Sequence, residues 1–159
     1  MSAEGKLGMM QNLEIRQLLP SDTEYLKACA ELSAQCLPEE AWSFESFLSE
    51  AEKPSGYVLA VLDEKQTVKG FLTASCILDS GDLTAIAVSP ECRKKGLAGK
   101  LLEALFEKTG SAEIFLEVRE SNQNAIALYQ KYAFEQVGIR KNFYQNPQEN
   151  AILMKRGGM

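Results

Sequence analysis

Short apolar runs bounded by polar turns recur along this chain. Residues 13–18 alternate apolar and polar side chains, as one strand of a half-buried sheet does. The runs 57–62 and 68–78 are separated by a short polar loop of ordinary hairpin length, and residues 79–82 predict the next turn. The predicted strands span residues 13–18, 57–62, 68–78, 83–88, 112–118, 134–141 and 151–155.

Four other segments repeat apolar residues every three or four positions, the pattern of a helix with one buried face. Ser21 or Asp22 is expected to cap the first of them, and Pro38 to end it. Gly110 follows the third segment as a typical helix end. The predicted helices span residues 21–36, 43–52, 96–109 and 122–132.

The order of these elements predicts an α/β fold, with a mixed central sheet of about seven strands and about four helices on both faces. The helix at 96–109 connects two strands by a crossover, which predicts parallel contact or near-contact between them. At 159 residues with 45% hydrophobic content, the chain suits one core. We expect a single domain over residues 13–156, preceded by a flexible segment at 1–12.

Charge and hydropathy exclude several classes of protein. The net charge of −5 argues against an extended nucleic-acid surface, which needs a basic face. No apolar run approaches the roughly 20 residues of a membrane span, and the first dozen residues lack a secretory pattern. We therefore expect a cytoplasmic monomer or weak homodimer that contacts neither nucleic acid nor membrane.

The residue types that are missing restrict the chemistry. The chain has no histidine, so imidazole cannot be the base, and a carboxylate, phenol, amine or water must carry protons. Its four cysteines never form a Cys-x-x-Cys pair, which argues against a zinc or redox site. We expect free thiols and no metal cofactor.

Basic residues cluster at the start of the third predicted helix, over residues 93–100. The first amides of a helix have no internal acceptor and carry partial positive charge, so this position favours an anion. Gly96 would admit a diphosphate closely, and Ala98 keeps the next turn small. A nucleotide P-loop is excluded, because Lys94 and Leu101 replace its glycine and its serine or threonine. A simply solvated helix start is the alternative.

The sequence Arg-x-x-Gly-x-Ala at 93–98, placed after an apolar strand, resembles the acetyl-CoA motif of the GNAT superfamily of acetyltransferases. A second block over 116–129, followed by Phe134 and residues 138–140, is similar to the RimI type, which acetylates the N-terminal alanine of a small-subunit ribosomal protein. This resemblance implies the GNAT fold and acetyl-CoA as co-substrate. The acceptor is then expected to be a protein N-terminus, possibly that of a ribosomal protein.

The resemblance also assigns the cofactor residues. It implies that residues 86–88 bond the pantetheine arm through their backbone, that the loop at 94–99 holds the diphosphate, and that Asn122 adds a contact. The expected cofactor-binding residues are Ile86, Ala87, Val88, Arg93, Lys94, Lys95, Gly96, Leu97, Ala98, Gly99, Lys100 and Asn122.

Two proton carriers are expected, because the amine must lose a proton and the departing thiolate must gain one. The resemblance assigns Glu117 as the base and Tyr129 as the acid. On its strand Glu117 should be partly desolvated, which would raise its pKa; the alternative is a glutamate that faces water or pairs with an arginine. Tyr129 has a reference pKa only about 1.5 above that of a thiol, although a helical tyrosine is also a common core residue.

The acceptor amine is expected between the early helices and the last hairpin. Trp42, Phe143 and Tyr144 would line that groove, with Trp42 as plain core the alternative. Acidic residues nearby would attract a basic peptide: Glu39, Glu40 and Glu149.

Two positions depart from the pattern of the superfamily: Ala133 replaces a usual glycine, and Asn150 a common aspartate. Rival functions are a small-molecule amine or lysine acetyltransferase and a non-catalytic acyl-CoA-binding module.

Overall fold

One seven-stranded sheet runs through the protein, in the strand order β1-β2-β3-β4-β5-β7-β6. The computed structural model describes residues 12–157. Of the predicted flexible segment, residues 1–11 lie outside the described residues. The strands are β1 (Glu14–Gln17), β2 (Gly56–Leu62), β3 (Val68–Ile77), β4 (Ser80–Val88), β5 (Glu113–Arg119), β6 (Glu135–Tyr144) and β7 (Glu149–Arg156).

Four α-helices flank the sheet, as predicted. Two 3-10 turns are part of the connections: Pro38–Glu40 lies between the first and second α-helices, and Pro90–Cys92 lies between β4 and the third α-helix. The helices are α1 (Thr23–Cys36), α2 (Phe44–Glu52), α3 (Leu97–Thr109) and α4 (Gln123–Lys131). None of the helices within residues 12–157 has the length and apolar content that crossing a membrane requires.

The two faces of the sheet carry separate hydrophobic clusters. Along β2, Val58 and Ala60 face the cluster under α1 and α2, whereas Leu59 and Val61 face the cluster under α3 and α4. This alternation is the ordinary two-residue period of a strand, and β2 is buried because helices cover both of its faces. The predicted architecture, with helices on both faces, is confirmed.

The parallel contact between β4 and β5 is confirmed, but it is short. Only Ser80, Gly81 and Asp82 of β4 pair with β5, opposite residues 113–115. Beyond this point β5 pairs with β7 as far as Arg119, while β4 continues to Val88 beside β3 alone. The carboxyl ends of β4 and β5 therefore diverge and leave a wedge between them.

A β-bulge marks the place where the strands diverge. Leu83 pairs with Ala74 and Ala85 pairs with Thr73, so Thr84 is an extra residue in β4. The Thr84 hydroxyl donates a hydrogen bond of 2.9 Å to the Thr73 carbonyl. A bulge bends its strand and increases the local twist, and this one follows directly after the last residue that pairs with β5. The bulge thus opens the wedge.

Element ends depart from the predictions in a few places. The turn predicted at 79–82 is smaller, because tertiary pairing with β3 and β5 begins the strand at Ser80. Asp22 does not cap α1 with its side chain; its carboxylate accepts a hydrogen bond from Leu19 N. The last hairpin is longer than predicted, because its two strands remain paired as far as Tyr144, which lies opposite Glu149. The four cysteines are free thiols, as expected.

Candidate active site

The chain between β4 and α3 lines a cavity of about 200 Å³. Seven of the expected cofactor residues contribute to it, and α4 supplies further wall from Leu128 to Tyr132. Lys95 and Lys100 are exposed and lie outside its lining. The lining residues are Val88, Cys92, Arg93, Lys94, Gly96, Leu97, Ala98, Gly99, Leu128, Lys131 and Tyr132.

The backbone of this loop is shaped for an anion. Lys94 (φ 64°) and Gly96 (φ 78°) both adopt the left-handed conformation, which is uncommon for lysine. Gly96 is the N-cap residue of α3, and among the described residues no side chain caps the first amides of that helix. Within the described residues a Cβ at Gly96 would contact nothing, so the backbone angle itself requires glycine. The open amides therefore remain free to donate to a phosphate.

Two residues of this loop also make contacts that support the protein itself. Arg93 donates from Nε to the Val88 carbonyl (3.2 Å), which ties the loop to the end of β4. Gly99 is required by packing, because a Cβ there would collide with the Tyr132 hydroxyl. Both residues were predicted to contact the cofactor directly, and the structure gives each of them a supporting contact as well.

The open edge of β4 leads from this loop into the wedge. Ile86, Ala87 and Val88 pair with β3 on one side, but β5 is no longer bonded on the other. Because the backbone groups of a strand alternate between its two edges, some amides and carbonyls of this stretch face the wedge. These groups are the ones predicted to bond the pantetheine arm.

Glu117 lies on β5 across the wedge. Its neighbours Leu116 and Val118 are buried in the core, so Glu117 points to the opposite face of the strand. Its side chain is 32% exposed, and Oε1 lies 3.6 Å from Nε of the more exposed Arg140. Glu117 is therefore partly buried, as expected of a base, and it also has the arginine partner that the alternative interpretation proposed.

Tyr129 lies on α4 with its ring in the core, edge-on to Phe134 at 5.6 Å between centroids. Burial, with a smaller contribution from Tyr144, raises the pKa of Tyr129. In turn, burial and then the charge of Glu117 raise the pKa of Tyr144 to about 12. The charge of Glu117 thus acts on Tyr144, and Tyr144 in turn acts on Tyr129.

The model of the GNAT acetyltransferase family matches residues 15–134. The chain is also 37% identical over 118 residues to the ribosomal protein bS18-alanine N-acetyltransferase of Escherichia coli strain K12, an alignment that covers 71% of this chain and 78% of that enzyme. The chain belongs to the GNAT acetyltransferase family. The resemblance seen in the motifs at 93–98 and 116–140 and the prediction of an acetyl-CoA-dependent N-acetyltransferase are confirmed.

Two further similarities agree with this membership. The Haemophilus influenzae enzyme of the same name is 38% identical over 120 residues, which cover 71% of this chain and 80% of that enzyme. The solved structure of the ribosomal-protein-alanine N-acetyltransferase from Escherichia coli matches with a TM-score of 0.81 at 30% identity, over 91% of this chain and 93% of that one. The predicted GNAT fold is thereby confirmed over nearly the whole chain.

The last hairpin of this GNAT domain meets the early helices at Arg119, which the sequence did not single out. Its Nε lies 2.7 Å from Glu40, and one terminal nitrogen lies 3.1 Å from Glu149. The guanidinium also stacks over the Tyr144 ring at 4.5 Å. Glu40 and Glu149, which were expected to attract a basic peptide, both pair with Arg119; a single guanidinium cannot offset two carboxylates, so a net negative charge remains there.

The other residues that were expected to line the groove for the acceptor amine are only partly accessible. Trp42 is half-buried, packs 5.4 Å from Phe47 and joins the cluster under α2, so the core alternative is largely correct. Phe143 is exposed on β6 and packs edge-on to Tyr144 at 5.0 Å. Of the three aromatic residues expected to line an acceptor groove, the accessible ones therefore lie mainly on the last hairpin.

Three polar or small residues shape the surroundings of the site. Asn122 caps α4, with Oδ1 accepting from Ala125 N at 3.1 Å. Ala133 keeps the left-handed conformation (φ 73°) that glycine usually supplies at this helix end. Asn150 accepts a hydrogen bond from Asn142 N (3.0 Å) and so closes the hairpin. Among residues 12–157, no group of three or more potential ligands could hold a metal ion.

Proposed function

We propose that this protein transfers the acetyl group of acetyl-CoA to the N-terminal α-amine of a protein, with a ribosomal protein that begins with alanine as the acceptor. The observation that carries the proposal is the continuous path from the uncapped start of α3, along the open edge of β4, to Glu117. The acceptor class is supported by the relatives in Escherichia coli and Haemophilus influenzae, which modify ribosomal protein bS18. The proposal places the activity in the cytoplasm.

The residues around the cavity suit coenzyme A. The free amides after Gly96 would hold the diphosphate, and Lys94 and Lys131 would add positive charge from two sides of the cavity. Lys131 was missed by sequence reasoning, although it follows Leu128 by three residues and so shares its helix face. When bound, acetyl-CoA supplies an activated thioester. The open backbone of residues 86–88 would orient its arm.

Glu117 is proposed as the general base. The carboxylate is partly accessible, and its charge partner among the described residues is Arg140, whose side chain is 56% exposed. Glu117 can accept the proton of the attacking amine directly or through one water. An α-amino group, with a pKa near 8, is neutral in roughly a tenth of molecules at pH 7, whereas lysine, near 10.4, is neutral in only about one of 2,500. This base therefore suits an N-terminus best.

Tyr129 is proposed to stabilise the departing thiolate. Burial raises the pKa of Tyr129. Full transfer of its proton to the sulfur therefore costs more free energy than the reference pKa values of a phenol and a thiol indicate. A neutral phenol remains a good hydrogen-bond donor to a developing anion in a water-poor site. We therefore assign Tyr129 stabilisation of the thiolate through a hydrogen bond, and the thiolate takes its proton from solvent as coenzyme A leaves.

The test uses purified protein, acetyl-CoA and three acceptors, with products analysed by mass spectrometry. The acceptors are a peptide that begins with alanine, a peptide with a blocked N-terminus and an internal lysine, and a polyamine. We expect acetylation of the first at its α-amine and little of the other two. Preference for the lysine or the polyamine would replace the proposed acceptor, and binding without any turnover would favour the non-catalytic module.

A further inference from the structure

Arg119 is the most highly connected charged side chain outside the proposed chemistry, and it lies at the end of β5. Its side chain is only 17% exposed. Besides Glu40 and Glu149, it donates to the carbonyl oxygens of Gln145 (2.9 Å) and Pro147 (3.0 Å). These partners come from two parts of the chain: the 3-10 turn after α1 and the connection between β6 and β7.

One of the partners of Arg119, Glu149, is held by a further hydrogen bond. The second carboxylate oxygen of Glu149 accepts a hydrogen bond from Ser121 N at 2.5 Å, and these two contacts hold the pKa of Glu149 below its usual value. A buried guanidinium that satisfies two carboxylates and two carbonyls is costly to disturb, because each partner would be left unpaired. The arrangement is thus a rigid tie between two surface segments, which we name the Arg119 clamp: Arg119, Glu40, Gln145, Pro147 and Glu149.

The clamp lies directly beside the proposed chemistry. Arg119 follows Glu117 by two residues on the same strand, so both side chains project from the same face. The Tyr144 ring stacks on the guanidinium, and burial and then the charge of Glu117 raise the pKa of Tyr144. The two segments that the clamp joins border the proposed acceptor groove: half-buried Trp42 follows the first, and exposed Phe143 precedes the second.

We propose that Arg119 is a positioning residue that sets the width of the acceptor groove and the orientation of Tyr144. The inference rests on the proposed function, since it assumes that the amine enters between the 3-10 turn and the last hairpin. It predicts that loosening the clamp weakens acceptor binding and leaves the cofactor cavity, which is built from α3 and α4, unaffected.

The first experiment separates acceptor binding from chemistry in Arg119→Lys, which keeps the charge but cannot make the forked contacts. The KM for an alanine-initiated peptide should rise at least about tenfold, while the KM for acetyl-CoA stays within about twofold. The matched control is Arg156→Lys, because Arg156 also ends a strand, stacks on an aromatic ring (Phe106) and donates to a carbonyl. Equal KM values for the peptide in wild type and Arg119→Lys would overturn the proposal.

The second experiment does not depend on the acceptor. Hydrogen–deuterium exchange of the full chain should increase over residues 38–42 and 143–149 in Arg119→Lys and remain unchanged there in Arg156→Lys. Unchanged exchange in Arg119→Lys would overturn the clamp. If the wild-type protein acetylates no peptide N-terminus, the proposed function fails, and the exchange result still decides whether the clamp exists.

A milder variant covers the case in which Arg119→Lys does not fold. Glu40→Gln removes the tie to the 3-10 turn and leaves the pair with Glu149 in place. We expect faster exchange over residues 38–42 alone, a shift in the fluorescence of Trp42, the single tryptophan, and a several-fold higher KM for the peptide. A folded Glu40→Gln protein with unchanged exchange and KM would contradict the proposal.

Discussion

The hydroxyl of Thr84 donates to the carbonyl oxygen of Thr73 at the point where β4 leaves β5. Thr84 is the extra residue of the bulge, and Thr73 beside it is fully buried. The bond therefore satisfies a backbone carbonyl that the bulge removes from regular pairing. Through this one contact, a local irregularity in a hairpin opens the wedge into which acetyl-CoA and an amine are proposed to enter.

Thr84→Val should destabilise the protein while keeping the shape of the side chain. Loss of this hydrogen bond and of the bond between the Thr84 and Thr73 hydroxyls (2.8 Å) is expected to cost about 1–3 kcal/mol, at roughly 2–4 °C in Tm per kcal/mol for a chain of this size. Acetyl-CoA affinity should fall with it, because the β4 edge is no longer held open. Calorimetry gives both quantities. Thr67→Val, in the exposed turn after β2, is the control, and equal Tm values for the two variants would contradict the prediction.

Elements with a strong apolar period could be predicted from the sequence. The face of α3 formed by Leu101, Leu102 and Leu105 and its end at Gly110 follow from local spacing and lie where they were expected. The phosphate loop was also predictable, because an uncapped, glycine-initiated helix start after a strand is a local feature. Family resemblance then named the rest of the cofactor site.

The bulge and the clamp could not be predicted, because each depends on pairing between distant residues. No residue near Thr84 in the sequence indicates that β4 has one more residue than β3 at this point. Arg119 meets Glu40 across 79 positions and Glu149 across 30, and a strand-end arginine gives no sign of such partners. For the same reason Glu40 and Glu149 were interpreted as free charges. Sequence periodicity reports burial, but it does not report which charges meet.

Gly96→Ala should impair cofactor binding far more than stability. At φ 78° an alanine costs about 1–2 kcal/mol, and any relaxation redirects the amides that face the phosphate. We expect the Kd for acetyl-CoA to rise at least about tenfold in titration calorimetry. Gly110→Ala is the control for backbone strain as such, since Gly110 has open space around it and a conformation at least as unfavourable for alanine (φ 61°, ψ −126°) but lies at the other end of α3. Similar Kd values in the two variants would remove the proposed role of this loop.

Glu117→Gln should bind acetyl-CoA normally and turn over slowly. Removing a general base is expected to lower kcat by about 100-fold or more, while the cofactor Kd is unchanged because the cavity is separate from this side chain. Glu113→Gln on the same strand, which loses only its exposed pair with Lys155 (3.0 Å), is the control. Stopped assays of peptide acetylation measure the rates. A Glu117→Gln enzyme as fast as the control would exclude Glu117 as the base.

Tyr129 should remain protonated throughout the working range of the enzyme. Its folded pKa is raised by burial above the unfolded value of about 10, so the folded state holds this proton more tightly. The associated stability is therefore intact below about pH 10 and is lost as the pH rises beyond it, more steeply in wild type than in Tyr129→Phe.

The rate of acetyl transfer should show no falling limb from Tyr129 below about pH 10, whereas Tyr129→Phe lowers kcat about tenfold at every pH. Tyr57→Phe serves as the control. An alkaline limb near pH 8 that disappears in Tyr129→Phe would show that the phenol ionises in the working range and would contradict its role as a neutral donor.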